Sequence, residues 1–80
     1  MTQTATTGRE GASDGERERV GRKLETMREG RGMTRRELAS MAGVGVTTVA
    51  RFERGEGAAR LSTACKLTRA LGCTLDELVR

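Results

Sequence analysis

The side chains of this chain that can do chemistry are mostly arginines. The 80 residues include 15 Lys and Arg against 11 Asp and Glu, which gives a formal net charge of +4 and a pI of about 10.0. No histidine is present, so imidazole general bases, the usual nucleophilic triads and histidine-ligated metal sites are excluded. A surplus of guanidinium groups favours the binding of a polyanion. We therefore expect a binding protein that is not an enzyme and needs no cofactor.

The two cysteines do not have the spacing of a metal site. Cys65 and Cys73 are eight residues apart, without a CxxC pair and without a histidine nearby. We expect both to lie buried on helix faces, where a thiol packs as a small hydrophobic group. No metal site is predicted.

Composition also indicates where the chain resides and which part of it folds. No apolar run reaches the ~18 residues of a membrane span, and the first residues lack the hydrophobic core of a signal peptide, so a cytoplasmic protein is expected. Residues 1–15 are rich in Thr, Gly, Ala and Ser, which predicts a disordered tail. Residues 16–80 hold fourteen basic and nine acidic residues, so the excess positive charge belongs to the predicted domain.

Helical periodicity and capping signals predict the elements that must position the arginines. A first helix is expected over residues 16–29, because its apolar residues recur at helical spacing. Thr34 and Glu37 have the spacing of a capping box, in which each side chain bonds the backbone N–H of the other residue. A second helix should therefore begin at Arg35 and end near Ala42.

The later helices are predicted to end at glycines. A third helix is expected over residues 46–54, followed by Gly55, and a fourth ends at Gly72. A second capping box, Thr74 with Glu77, begins a short fifth helix. The predicted inner face of the fourth helix is Leu61, Ala64, Cys65, Thr68 and Leu71. No segment alternates apolar and polar residues as a strand does, so the predicted fold class is all-α, with five helices.

The second and third helices are expected to be joined by a tight turn. Ala39 is small enough to let the two helices approach each other. Gly43 lies where the chain must reverse, and such a turn commonly needs a positive φ, which glycine adopts without strain. Val44, Val49 and Phe52 would cover the bend from the other side. This arrangement is a helix-turn-helix, and it predicts DNA binding.

Over roughly residues 17–79 the chain resembles the Cro/repressor-type (XRE-like) helix-turn-helix family. The matching motifs are Gly32-Met33-Thr34, Glu37-Leu38-Ala39, Gly43-Val44, Thr48-Val49, Arg51-Phe52-Glu53-Arg54-Gly55 and Leu67-x-x-Ala70-Leu71-Gly72-x-Thr74-Leu75-Asp76-Glu77-Leu78. The match extends beyond the helix-turn-helix itself, since the motifs after the third helix and before the fifth also fall in place. The resemblance implies a lambda-repressor-like domain, a compact five-helix bundle that docks its third helix into the major groove of double-stranded DNA.

The resemblance also implies which residues touch DNA. The residues implied to face base edges are Val46, Thr47, Thr48 and Arg51. The residues implied to contact the DNA backbone are Thr34, Arg35, Arg54 and Arg60. A further implication is that Glu53 forms a partly buried ion pair with Arg28 of the first helix.

The third helix offers few hydrogen-bonding groups with which to read bases. Arg51 can make a bidentate contact to guanine, and Val46 can touch a thymine methyl group. The hydroxyls of Thr47 and Thr48 can bond either base type or a phosphate. Arg35 begins the second helix, where a cation opposes the helix dipole and a phosphate would compensate it. Most of the base discrimination is therefore expected from Arg51.

The leading hypothesis is a sequence-specific transcriptional regulator that occupies an operator. Repression is favoured over activation. A homodimer is expected because a single module offers only about 600–1,000 Å² of contact to DNA. Leu75, Leu78 and Val79 of the fifth helix either form the candidate dimer surface or simply close the core. The alternative hypothesis is an antitoxin or protein-interaction adaptor that masks a partner protein, although the tail has no large apolar residue with which to anchor a partner. No small-molecule effector is apparent.

Overall fold

Five helices make up most of the part of the chain that the structure, a computed structural model, describes: residues 14–56 and 61–80. They are α1 (Asp14–Gly30), α2 (Arg35–Ala42), α3 (Val46–Arg54), α4 (Leu61–Leu71) and α5 (Leu75–Val79). No strand occurs among these residues, so the prediction of an all-α, five-helix fold is confirmed. The bounds of α2 and α3 are as predicted, whereas α1 begins two residues earlier. All but the last two residues of the predicted tail lie outside the described residues.

Both predicted capping boxes are present. The hydroxyl of Thr34 accepts a hydrogen bond from the backbone N–H of Glu37 at 3.0 Å, and the Glu37 carboxylate accepts one from the backbone N–H of Thr34 at 2.8 Å. Thr74 and Glu77 repeat this exchange at the start of α5, with distances of 3.1 and 2.8 Å. Each box satisfies donors that a helix start leaves without an intrahelical partner.

The turn between α2 and α3 is closed by a glycine in the left-handed conformation. Gly43 has φ 75°, and its N–H donates to the carbonyl of Ser40 at 3.3 Å and to that of Ala39 at 2.9 Å. The N–H of Val44 also donates to the Ala39 carbonyl, at 3.0 Å. This is a Schellman motif, and it reverses the chain within a few residues. The positive φ predicted for Gly43 is therefore confirmed.

The core lies where α2, α3 and α4 meet, with α1 and α5 closing it. α2 packs on α3 and α4, and α1 packs on α3 and α5. The buried hydrophobic residues are Leu24, Leu38, Ala39, Val49, Phe52, Ala64, Leu67, Leu71 and Leu78. The predicted inner face of α4 was wrong at Leu61, which is 67% exposed, because the buried stripe runs through Leu67 instead. The two cysteines are half-buried rather than buried as predicted, and partial burial raises the pKa of the Cys73 thiol.

Helix α1 lies directly against the end of α3, and two glycines make this possible. A Cβ atom on Gly21 would clash with the carbonyl oxygen of Phe52 and would lie 2.5 Å from that of Glu53. A Cβ atom on Gly55, which has φ 75°, would lie 2.8 Å from the Cα of Glu18. The backbones of α1 and α3 are therefore closer than side chains would allow, which fixes the orientation of α3.

Candidate nucleic-acid interface

Helix α3 presents one polar face to solvent and one apolar face to the core. Val49 and Phe52 are buried, whereas Thr47 and Thr48 are exposed and Val46 is 41% exposed. This division follows from the helical repeat, which brings residues three and four apart onto one face. The exposed face therefore contains the residues for which base contacts were predicted.

Arg51 is the longest of the four side chains for which base contacts were predicted, and it is exposed. It forms no hydrogen bond and no ion pair with any residue in the described ranges. Its guanidinium group therefore keeps all of its donors, which is the state needed for a two-bond contact to the O6 and N7 atoms of guanine.

The buried face of α3, near its C-terminal end, contains a carboxylate that contacts two arginines. Arg28 of α1 donates from Nε to Glu53 Oε2 at 2.7 Å and from Nη2 to Oε1 at 3.4 Å. The same guanidinium donates from Nη1 to the carbonyl of Met33 at 2.7 Å, so it also holds the α1–α2 loop. The hydrogen bond to Glu53 raises the pKa of Arg28 despite its burial. The ion pair implied by the family resemblance is confirmed.

Arg35, the first residue of α2, is the second arginine on this carboxylate. Its Nε donates to Glu53 Oε1 at 2.7 Å, and its Nη2 lies 3.9 Å from a carboxylate oxygen of Glu25. The side chain remains 41% exposed. Sequence reasoning missed the contact with Glu53, because the two residues are 18 positions apart and only the packing of α2 on α3 brings them together.

Thr34 lies beside Arg35 and retains a free donor. Its hydroxyl oxygen already accepts the capping hydrogen bond, so the hydroxyl proton can be donated outward. Together, Thr34 and Arg35 place one hydroxyl donor and one guanidinium at the start of α2.

Arg54, at the end of α3, is engaged by a neighbouring carboxylate at the surface. Its Nε donates to Glu56 Oε2 at 2.9 Å and its Nη2 to Oε1 at 3.3 Å. This hydrogen bond and the charge of Arg54 lower the pKa of Glu56. Both side chains are about half exposed, so an anion from outside could compete for the guanidinium. Arg60, the other predicted backbone contact, lies outside the described residues.

None of the helices in residues 14–56 and 61–80 has the length and hydropathy of a membrane span. The same residues contain no cluster of three or more Cys, Asp or Glu side chains that could hold a metal ion.

A sequence model described as helix-turn-helix matches residues 24–78. The chain belongs to the helix-turn-helix family. The match contains α2, α3 and the turn between them, together with Arg28, Arg35 and Glu53. The predicted family is therefore confirmed. No curated protein matches the sequence.

Solved structures of two other proteins are similar to this helix-turn-helix chain. The restriction-modification controller protein C.AhdI from Aeromonas hydrophila is 30% identical, with a TM-score of 0.74 over 76% of this chain and 92% of that one. The clp gene regulator ClgR from Corynebacterium glutamicum is 28% identical, with a TM-score of 0.76 over 80% of this chain and 82% of that one. A second structure of ClgR gives 28% identity and a TM-score of 0.74 over 79% of this chain and 67% of that one.

Family membership and these structural neighbours identify the helix-turn-helix chain as a DNA-binding transcriptional regulator. The prediction of a DNA-binding transcriptional regulator is therefore confirmed.

Proposed function

We propose that this regulator binds a specific double-stranded operator through the exposed face of α3, and that it represses transcription by occupying that site in the cytoplasm. The observation that carries the proposal is the exposed face of α3, on which the Arg51 side chain forms no hydrogen bond or ion pair with any of the described residues. The protein acts by binding alone, with no enzymatic step, cofactor or small-molecule effector. Residues 16–80 constitute the DNA-binding unit.

Base readout is assigned to the residues at the start and middle of α3. Arg51 recognises guanine through two hydrogen bonds, and Val46 contacts a thymine methyl group. Thr47 and Thr48 add hydroxyl contacts to bases or to the nearest phosphates. Arg51 supplies most of the discrimination, because it is the only one of the four with a long side chain and several donors.

Backbone contacts are assigned to two places on either side of α3. Thr34 and Arg35 contact a phosphate from the start of α2, and the exposed part of the Arg35 guanidinium supports this assignment. Arg54 contacts the backbone from the end of α3, after exchanging its carboxylate partner for a phosphate. Arg60 is assigned by the family resemblance alone.

A homodimer is the proposed DNA-binding form. An apolar groove of about 240 Å³ lies between α1, α4 and α5, and its lining includes the exposed Leu61 and Val79. A second copy that covers this groove would bury these side chains and double the contact with DNA. We expect Val79→Glu to shift the protein toward a monomer in sedimentation experiments. Met41→Glu, at a residue that is exposed elsewhere, should leave the oligomeric state unchanged. A parent protein that is monomeric with and without DNA would contradict the dimer.

The test of the proposed function is selection of bound sequences from random duplex DNA. We expect a palindromic motif with one half-site per protomer, whose centres are spaced by about 34–36 Å or a multiple of that distance. Affinity should fall steeply with salt, by about 10³–10⁵ between 50 and 200 mM if six to ten phosphates are neutralised. Failure to enrich any sequence, together with an affinity that does not depend on salt, would contradict the proposal.

A further inference from the structure

Glu53 accepts two short hydrogen bonds, one from a buried arginine and one from a partly exposed arginine. One carboxylate oxygen accepts from Arg28, whose side chain is buried in the fold, and the other accepts from Arg35, whose side chain reaches solvent. Both N–O distances are 2.7 Å, which is typical of charge-assisted hydrogen bonds. The Glu53 side chain is only 1% exposed, so water does not compete for either bond.

The contact leaves the outer edge of the Arg35 guanidinium available. Its Nε is used by Glu53, and its Nη2 lies 3.9 Å from Glu25, too far for a hydrogen bond. The two Nη groups can therefore make parallel bonds to the oxygens of one phosphate.

The outer carboxylates near this cluster are only loosely held. Glu53 is shared by Arg28 and Arg35, and the Glu29 carboxylate lies 3.8 Å from Arg28. Glu25 is partly exposed and lies 3.9 Å from Arg35. Because Glu25 makes no hydrogen bond to the Nη edge of Arg35, a phosphate can take its place there.

We infer that Glu53 is a positioning residue for DNA binding: it holds the Nε of Arg35 so that the Nη edge is presented to a phosphate before DNA arrives. The inference rests on the proposed function and assigns Glu53 a role beyond its ion pair with Arg28. Arginine loses considerable rotamer freedom when it is fixed on a ligand. Because Glu53 already holds the Arg35 side chain in the free protein, Arg35 loses less rotamer freedom when it binds a phosphate.

Thermodynamic coupling between Glu53 and Arg35 is the first test. Binding of the full chain to its selected duplex would be measured by fluorescence anisotropy for the parent, Glu53→Gln, Arg35→Ala and the double variant, at a temperature where circular dichroism shows all four folded. We expect the loss caused by Glu53→Gln to be smaller in the Arg35→Ala background than in the parent, by a factor of about five or more. Losses that multiply independently would overturn the inference.

A lysine at position 35 supplies a test that does not need a substitution at Glu53. Lysine keeps the positive charge, but its single ammonium has no separate Nε–H with which to hold Glu53 while two other donors bind phosphate. We expect Arg35→Lys to weaken binding nearly as much as Arg35→Ala. The control is Arg36→Lys, at an exposed neighbour on the same helix, which should change affinity by less than about twofold. Parent-like binding by Arg35→Lys would overturn the inference.

The free protein gives a readout that is independent of DNA. In NMR spectra, the Nε–H of Arg35 should exchange with water more slowly than that of Arg36, and Glu53→Gln should accelerate its exchange. Equal exchange rates for Arg35 and Arg36 in the parent would overturn the inference. A parent that binds no duplex at all would instead overturn the proposed function, so the two failures can be distinguished.

Discussion

Two consecutive residues of α3 form arginine–carboxylate contacts of similar geometry in opposite environments. Glu53 faces the bundle and binds Arg28 at 2.7 Å, with the two side chains 1% and 9% exposed. Arg54 faces solvent and binds Glu56 at 2.9 Å, with both side chains about half exposed. Distance therefore does not distinguish the two contacts, whereas burial does. A buried ion left without its partner is strongly destabilising, but an exposed ion is solvated by water.

The largest effect is expected from removing the buried carboxylate. Glu53→Ala would remove the carboxylate that is hydrogen-bonded to the buried Arg28 and should lower the free energy of unfolding by about 3–5 kcal/mol. That is a large part of the stability of a small domain. The matched variant at the surface is Glu56→Ala, which should not measurably change stability. Urea denaturation followed by circular dichroism checks both, and equal midpoints for the two variants would break the comparison.

A smaller loss of stability is expected from forcing apart α1 and α3, the helices that contain Arg28 and Glu53. Gly21→Ala would place a methyl group against the backbone carbonyls at the end of α3, and should destabilise by about 1–3 kcal/mol. The control is Gly15→Ala on the same helix, where the added Cβ would have no packing contact within 4 Å among the described residues beyond its own helical turn. That variant should be neutral or slightly stabilising, because alanine favours helix more than glycine does. Thermal melts in which Gly21→Ala matches Gly15→Ala would show that α1 can shift without loss.

The exposed contact is expected to matter for DNA binding rather than for folding. Glu56 occupies the donors of Arg54 in the free protein, so a phosphate must displace it. Glu56→Gln should therefore tighten binding to all duplexes by a few-fold, because the repulsive charge and the competing acceptor are weakened together. Arg54→Ala should weaken all duplexes alike and reduce the salt slope by about one unit per protomer. Anisotropy titrations at several salt concentrations check both, and unchanged affinity in both variants would remove Arg54 from the interface.

The smallest effect concerns pH. Arg54 holds the pKa of Glu56 below its ordinary value, so the contact contributes stability above the unfolded-state pKa and loses it as pH falls through the folded-state pKa. Because the pair is exposed, no visible change in melting temperature should accompany this titration. Carboxyl NMR should show the titration midpoint of Glu56 moving upward in Arg54→Ala. An unmoved midpoint would mean that the pair does not persist in solution.

The sequence was sufficient for the elements whose signals are local. The bounds of α2 follow from Thr34 and Glu37 at one end and Gly43 at the other, because caps and left-handed glycines act within a few residues. Those of α3 were likewise predictable from the glycines on either side of it. The helix-turn-helix can therefore be predicted from local sequence signals, without knowledge of the tertiary structure.

Features that depend on the approach of distant helices were not predictable from local signals. The prediction for Leu61 was wrong, because the packing of α4 on α2 and α5 buries the stripe that contains Leu67 and leaves Leu61 exposed. The contact between Arg35 and Glu53 requires α2 and α3 to be docked. The isolated Gly21 inside a helical pattern was an available signal, since a glycine there weakens a helix unless another backbone needs the space.

The central claim is that α3 reads DNA through its exposed face, chiefly with Arg51, and selection of bound sequences with Arg51→Ala tests it most directly. The Arg51 side chain forms no hydrogen bond or ion pair within the described residues, so its replacement should leave the fold intact. We predict a loss of about 1–3 kcal/mol on the preferred site, and a flattened base preference at one position in each half-site. Binding to unrelated duplexes should change much less. An Arg51→Ala variant that enriches the same motif as the parent would contradict the claim.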